Sequence, residues 1–341
     1  MRILFCTPDP TEGGVSTSSE RLIQSLEGRG HEVTHLHPEA HRFPDEPDRG
    51  RRWRIARSSL PVWTDHVLEA IDARSIEVVV GFYGWGPAQA AVAAGSLRGV
   101  PTVVALRGND LDRDFLDPSR HGLVRWAIER ADAVCTVSEE MACKVKRWCG
   151  REAIAVGNGV DTNRFRPVSG ESFRAEHGLQ GPVYGMFGEL KPKRGVETLS
   201  QVAALGWTPL IVGKIRPSVS HLIPPEAVVV DWMEPDSLPE AYAACDVVGQ
   251  PSLHDGLPNV VLEAMACARV VVARPVAGML DVIRDGENGL FATSDNLAEV
   301  LERARNCDLG PAAREGVPTL EAEATAWERV LETIPSLRGR N

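Results

Sequence analysis

The chain has 341 residues, 43% of them apolar, and a formal charge of −10 from 37 basic and 47 acidic side chains. That length suits two ordinary domains, and the acidic balance argues against nucleic acid or a general affinity for anionic membranes, so a phosphorylated ligand needs locally placed cations. Seven cysteines, odd in number and without a C-x-x-C pair, exclude a disulfide framework and read as reduced thiols of a cytoplasmic protein. The opening apolar run, Ile3 to Cys6, is a strand in length and too short for a signal peptide or a membrane span.

The first predicted strand covers residues 3–7 and the second 32–36, with a helix between them whose apolar face carries Leu22, Ile23 and Leu26. The loop after the first strand holds Gly13-Gly14, at the carboxyl end where open α/β sheets bind ligands. The pair serves either close approach to a substrate or a turn that needs positive φ. Residues 37–57 are irregular, with Arg49, Arg51, Arg52, Arg54 and Arg57 around Trp53. They suit contact with lipid head groups or an anionic acceptor, and equally a solvated loop. His31, His35, His37 and His41 show no metal-ligand spacing, so no metal site is expected.

A helix near 62–71 and a strand at 76–80 lead to a Gly-rich turn, 81–87, that imitates a dinucleotide fingerprint. It fails in detail, because Pro87 opens the helix where a third glycine is needed and no acid closes the next strand. Strand 102–106 ends in Arg107-Gly108-Asn109-Asp110. Strand 133–137 enters Ser138, a suitable N-cap for the Met141 amide. Asn158-Gly159 makes the turn at which the chain leaves the first domain, and residues 166–181 are polar and irregular, as a linker is.

A new α/β unit opens with strand 183–188, followed by the basic loop Glu189-Leu190-Lys191-Pro192-Lys193-Arg194-Gly195. Strands at 209–212 and 227–230 come next, the latter running into Asp231-Trp232, where a nucleotide base can meet backbone groups and an indole face. A buried strand over 244–249 then meets a Gly/Pro turn, and a helix opens near Pro258. Such a helix start presents backbone N–H groups and partial positive charge from Leu257 to Val260, suited to a phosphate or an oxygen-rich sugar. Asp255 lies on the turn. Glu263, in the second helical turn, can accept hydrogen bonds from vicinal hydroxyls such as a ribose. By themselves the two acids read more readily as an acidic turn and a solvated helix residue. Strand 270–273 and helices near 297–305 and 320–334 complete the chain, the last stopped by Pro335.

The run of Asp255, Gly256, an apolar residue, Pro258, Asn259, an apolar stretch and Glu263 resembles the E-x7-E signature of the retaining family 4 glycosyltransferases of the GT-B fold, with Asp where that family usually has Glu. Further matches spread over nearly the whole chain: Gly13-Gly14 before a helix ending in Gly28-Arg29-Gly30, Ala131-Asp132-Ala133 to Val137-Ser138, Asn158-Gly159-Val160-Asp161, Phe165-x-Pro167 and Arg194-Gly195. The resemblance implies an α/β architecture of two doubly wound Rossmann-like domains facing across a cleft. Residues 1–166 would form the acceptor-side domain, 167–181 a linker, 182–318 the nucleotide-sugar domain, and 319–341 a C-terminal helix packed back on the first domain.

The activity implied is transfer of a sugar from a UDP- or GDP-sugar to an acceptor hydroxyl with retention, without metal or cofactor, the nucleotide sugar being a substrate. Asp255 would hold the donor sugar and Glu263 the ribose. The diphosphate would lie on Lys191, Lys193, Arg194 and the backbone of Gly256, Leu257, Asn259 and Val260, with Gly14 over the phosphates and Trp232 toward the base. Gly13, Asn109 and Asp110 would face the acceptor, which is a natural product, a glycan or a lipid-linked molecule.

Two positions depart from the family. Arg107 stands where a His is common, as a cation for the leaving diphosphate, an anchor for an anionic acceptor, or a partner of Asp110 or Asp112. Glu189 stands where an Arg is commonest and cannot pair with a diphosphate, so Lys191 or Lys193 is expected to substitute. These departures keep two alternatives open, a nucleotide-sugar-binding subunit impaired in catalysis and a nucleotide-sugar epimerase on the same fold.

Overall fold

The computed structural model describes residues 1–8, 13–37, 60–108 and 110–337. The expectations for Asn109, His41 and the stretch Arg49 to Arg57 lie outside the described residues. The chain forms two compact units, Met1–Asn158 together with Leu320–Asn341, and Gly159–Thr319.

The first unit is built on strands β1 (Arg2–Cys6), β2 (Glu32–Leu36), β3 (Val78–Phe82), β4 (Thr102–Leu106), β5 (Ala133–Thr136) and β6 (Ile154–Ala155), with helices α1 (Gly13–Gly28), α2 (Leu60–Arg74), α3 (Pro87–Arg98), α4 (His121–Arg130) and α5 (Glu139–Cys149) between them. All its pairings are parallel, in the order β2-β1-β3-β4-β5-β6. A parallel sheet covered on both faces requires continuous apolar strands, and Val-Val-Val-Gly-Phe in β3 and Thr-Val-Val-Ala-Leu in β4 are buried at every position. One face packs Leu4, Cys6 and Val79 against Trp63, Val67 and Ile71 of α2 and the alanines of α3.

The second unit follows the same plan. Its strands are β7 (Val183–Phe187), β8 (Thr208–Val212), β9 (Val228–Val230), β10 (Val247–Gln250), β11 (Val270–Ala273) and β12 (Leu290–Phe291), in the order β12-β11-β10-β7-β8-β9. Its helices are α6 (Glu171–Glu176), α7 (Thr198–Ala204), α8 (Leu238–Ala243), α9 (Asn259–Ala266), α10 (Met279–Val282), α11 (Leu297–Arg305) and α12 (Gly310–Glu315). The final helix, α13 (Leu320–Leu337), belongs to the first unit, where Trp327, Val330, Leu331 and Ile334 are buried with Ile3, Phe5 and Phe82.

Four differences from the sequence reading have local causes. Strand β3 begins at Val78 rather than 76, because Ser75 takes a left-handed φ of 49° and the Ile76 amide closes α2 on the Ile71 carbonyl. Strand β10 begins at Val247 rather than 244, since the amides of Ala244 and Cys245 are spent on the Glu240 and Tyr242 carbonyls at the end of α8. The stretch that composition marks as a linker carries α6, with Phe173 buried and Arg174 bonded to the Ala244 carbonyl and the Asp246 carboxylate. Helix α13 runs past Pro335 to Leu337. A proline in the last turn forfeits one backbone bond, which is too little to end the helix there. Among the described residues no helix is long and apolar enough to cross a membrane.

Each sheet has one point where consecutive connections diverge to opposite sides, between β1 and β3 in the first unit and between β7 and β10 in the second. The carboxyl ends of those strands are the position where open α/β sheets take ligands.

Candidate active site

In the second unit the switch-point loops are 188–195, after β7, and 251–258, after β10. Their backbones are joined where the Leu253 amide donates to the Lys193 carbonyl at 2.8 Å. The first loop turns through a short 3-10 segment, Pro192–Arg194, and ends at Gly195 with φ 66°. A Cβ at Gly195 would collide with the Pro251 carbonyl, so glycine is what allows the two loops to touch.

That contact gathers three charged side chains. Lys193 Nζ lies 3.0 Å from Asp255 Oδ1, and Arg194 Nη1 lies 3.8 Å from Asp255 Oδ2. The Arg194 side chain is 8% exposed and donates from Nη2 to the Phe187 carbonyl at 2.6 Å, which ties the guanidinium to the end of β7. Burial pulls both cations below their usual pKa ranges, and the Asp255 carboxylate opposes the shift in each. Two largely desolvated cations around one carboxylate leave a net positive cluster, the charge a diphosphate requires.

Helix α9 starts beside this cluster. Pro258 precedes it in an extended conformation and offers no side-chain cap, and the helix carries the positive end of its dipole at this terminus. Gly256 and Leu257 are buried, whereas Asn259 and Val260 are partly exposed at the helix start. The Gly256 carbonyl accepts from the Gly278 amide at 2.9 Å, fixing the turn against α10. One turn into α9, Glu263 Oε2 accepts from the Tyr242 hydroxyl at 2.7 Å. Tyr242 is wholly buried and stacked on Phe187 with centroids 4.0 Å apart. Burial, with the Glu263 charge second, pushes its pKa far up, so the hydroxyl stays a donor and orients the carboxylate.

The remaining predicted residues are placed as follows. Lys191 Nζ sits 3.5 Å from Glu189, and Glu189 also receives a two-bond fork from Arg216. Trp232 is 63% exposed beyond β9, at the sheet edge and two strands from β7. Gly13 and Gly14 open α1 in the first unit. Asp110 is fully buried and accepts from the amides of Gly84, Arg107 and Gly108, which makes it the residue that shapes its own loop. Arg107 pairs with neither Asp110 nor Asp112 through its side chain. Its guanidinium is 1% exposed, bonds Glu323 Oε1 at 3.0 Å and the Asn158 side chain, and lies 4.9 Å over the Phe82 ring.

Sequence reasoning missed two contributors: Arg216 and Tyr242. Arg216 follows Gly213 at a strand end, a faint version of the signal that marked the β7 loop. Tyr242 and Glu263 are on different helices, and no local pattern joins them. Tyr83, in the turn after β3, holds φ 108°, unusual for a side-chain-bearing residue, with its hydroxyl on the buried Asp114 at 2.9 Å.

Comparison with known proteins agrees with this architecture. The glycosyl transferase 4-like domain family matches residues 13–159, and the family of glycosyl transferases group 1 matches residues 181–307. The chain is a group 1 glycosyltransferase of the family 4 type. Among relatives of this glycosyltransferase is the GDP-mannose-dependent alpha-mannosyltransferase of Mycolicibacterium smegmatis, 27% identical over 95% of this chain and 93% of the relative. Sucrose-phosphate synthase from Thermosynechococcus elongatus superposes with a TM-score of 0.83 at 19% identity, over 98% and 99% of the two chains. Anabaena HepE in complex with UDP-glucose gives 0.77 at 18% identity, over 98% and 100%. These structural likenesses establish the GT-B fold of the glycosyltransferase.

Proposed function

We propose that this glycosyltransferase moves a sugar from a nucleotide-diphosphate donor to an acceptor hydroxyl with retention at the anomeric carbon and without a metal. The observation that carries the reading is the Lys193–Asp255–Arg194 cluster at the β7/β10 switch point, set beside the start of α9. Diphosphate on those cations and helix amides develops its leaving charge against groups already oriented toward it, the role a divalent ion fills in other transferases. Glu263, oriented by Tyr242, takes the ribose hydroxyls, and Asp255 those of the donor sugar. A carboxylate engaged by two cations is a poor nucleophile. That supports transfer on one face, assisted by the leaving phosphate, over a covalent glycosyl-enzyme. Trp232 serves as a stacking face for the base.

GDP-mannose and UDP-glucose are the donors to try first, since a relative is named for the one and a structural neighbour is complexed with the other. The test is thermal stabilisation by UDP, GDP, ADP and dTDP and their sugars, in the native chain and in Glu263→Ala. One nucleotide is expected to stabilise selectively, by about 2.7 kcal/mol at a hundredfold excess over Kd, and the effect is expected to vanish in the variant. Stabilisation by none of them at millimolar concentration sinks the donor reading. A kinetically competent sugar adduct on Asp255 sinks the one-face mechanism.

A further inference from the structure

The loop after β8, Gly213-Lys214-Ile215-Arg216, runs directly beside the switch-point loop 188–195. Leu190 and Ile215 form a parallel bridge, the Leu190 amide donates to Lys214 O at 2.8 Å, and the Arg216 amide donates to Leu190 O at 3.0 Å. Gly213 takes φ 137°, and a Cβ there would strike the Gly188 carbonyl, so the two loops meet backbone to backbone. This register sets Arg216 against Glu189, with Nε to Oε1 at 2.7 Å and Nη2 to Oε2 at 3.0 Å.

The fork uses two of the five N–H groups of the guanidinium. The Arg216 side chain is 53% exposed, so the rest of its face is open to a ligand. Glu189 also holds Lys191, so one carboxylate positions two cations. The three loops 188–195, 213–216 and 251–258 together carry Lys191, Lys193, Arg194, Lys214 and Arg216 against Glu189 and Asp255 alone. In a chain of net charge −10, that local surplus is an anion site spread over the ends of β7, β8 and β10.

We propose that Arg216 is a ligand of the donor diphosphate, with Glu189 as the positioning residue that holds its guanidinium toward the β7 loop. The assignment rests on the donor site proposed above and names a contact from a third loop. Arg216 lies beyond β8, two strands from the end of β10 that leads to α9. With the ribose on Glu263 and the first phosphate at the start of α9, Arg216 meets the second phosphate. Glu189 is then part of a relocated cation rather than the loss of one.

The experiment is calorimetric titration of nucleoside diphosphate and monophosphate, UDP with UMP and GDP with GMP, into the native chain, Arg216→Ala and the exchanged pair Glu189→Arg/Arg216→Glu. Arg216→Ala is expected to weaken the diphosphate about tenfold, as loss of one charge-assisted contact does, while the monophosphate keeps its affinity within about twofold. The exchanged pair, which returns a guanidinium to the same fork, is expected to regain most of the loss. Equal weakening of both nucleotides, no weakening of the diphosphate, or an exchanged pair no better than Arg216→Ala overturns the proposal while leaving the donor site standing. A native chain that binds neither nucleotide overturns the donor site itself.

Discussion

At the scale of single residues, Arg107 shows how one substitution changes the work of a position. A histidine at the end of β4 can exchange a proton, whereas a guanidinium stays charged and must be compensated wherever it is buried. Here the compensation comes from Glu323 in α13, with both side chains almost fully enclosed, and Asn158 takes a further bond. Burial lowers the Arg107 pKa and the Glu323 charge opposes it, which is the signature of a structural pair. Arg107→Met takes the guanidinium away from a buried carboxylate and is expected to cost about 3–5 kcal/mol. Arg107→Met/Glu323→Leu, which removes both charges, should recover most of that. Urea unfolding of the two variants and the native chain decides the point. A stable single variant with transferase activity lost would instead make Arg107 a catalytic cation.

At the scale of elements, the site depends on how closely loops from adjacent strands approach. Gly195 is the position where the β7 and β10 loops touch, with left-handed φ and the Pro251 carbonyl in the way of any Cβ. Gly195→Ala is therefore expected to cost about 1–3 kcal/mol of stability and, by parting Lys193 from Asp255, to weaken nucleotide binding as well. Unfolding and nucleotide titration of the same variant should move together, and a change in stability without one in binding would uncouple the loop contact from the site. Elements of this kind were unequally legible in the sequence. Strands β2, β4 and β11 were read at their observed bounds because each is a compact β-rich run with Gly, Pro or Arg within two residues of its ends. Starts β3 and β10 were misplaced because helix-closing hydrogen bonds consumed residues whose composition is strand-like. Asp255 and Glu263 were legible as acids on a turn and a helix. Their partners Lys193, Arg194 and Tyr242 are 21 to 62 residues away in the chain, and parallel-strand adjacency leaves no periodic trace of such pairs.

At the scale of the whole molecule, the chain leaves the first unit at Asn158 and returns to it at Leu320, so the second unit is continuous in sequence and the first is not. The first unit is completed only when α13 supplies Trp327, which is fully buried with its ring 6.2 Å from those of Phe5 and Phe82. Arg107 bonds residues at both crossings, Asn158 before the exit and Glu323 after the return. The first unit thus owes its core to residues at both ends of the chain, while the switch-point cluster of Lys193, Arg194, Asp255 and Glu263 is built wholly from the second. Removing the indole should consequently loosen one unit and leave the other's chemistry in place. Trp327→Ala is expected to cost about 3–5 kcal/mol. Hydrogen exchange should show lost protection for the amides of β1, β3 and β4 and unchanged protection in β7 and β10. Nucleoside diphosphate affinity under native conditions should stay within about twofold of the native value, since the cluster and the altered core belong to different units. Equal loss of protection in β7 and β10 would mean that the two units unfold as one cooperative body, and that the donor site draws its stability from the first unit's core as much as from its own.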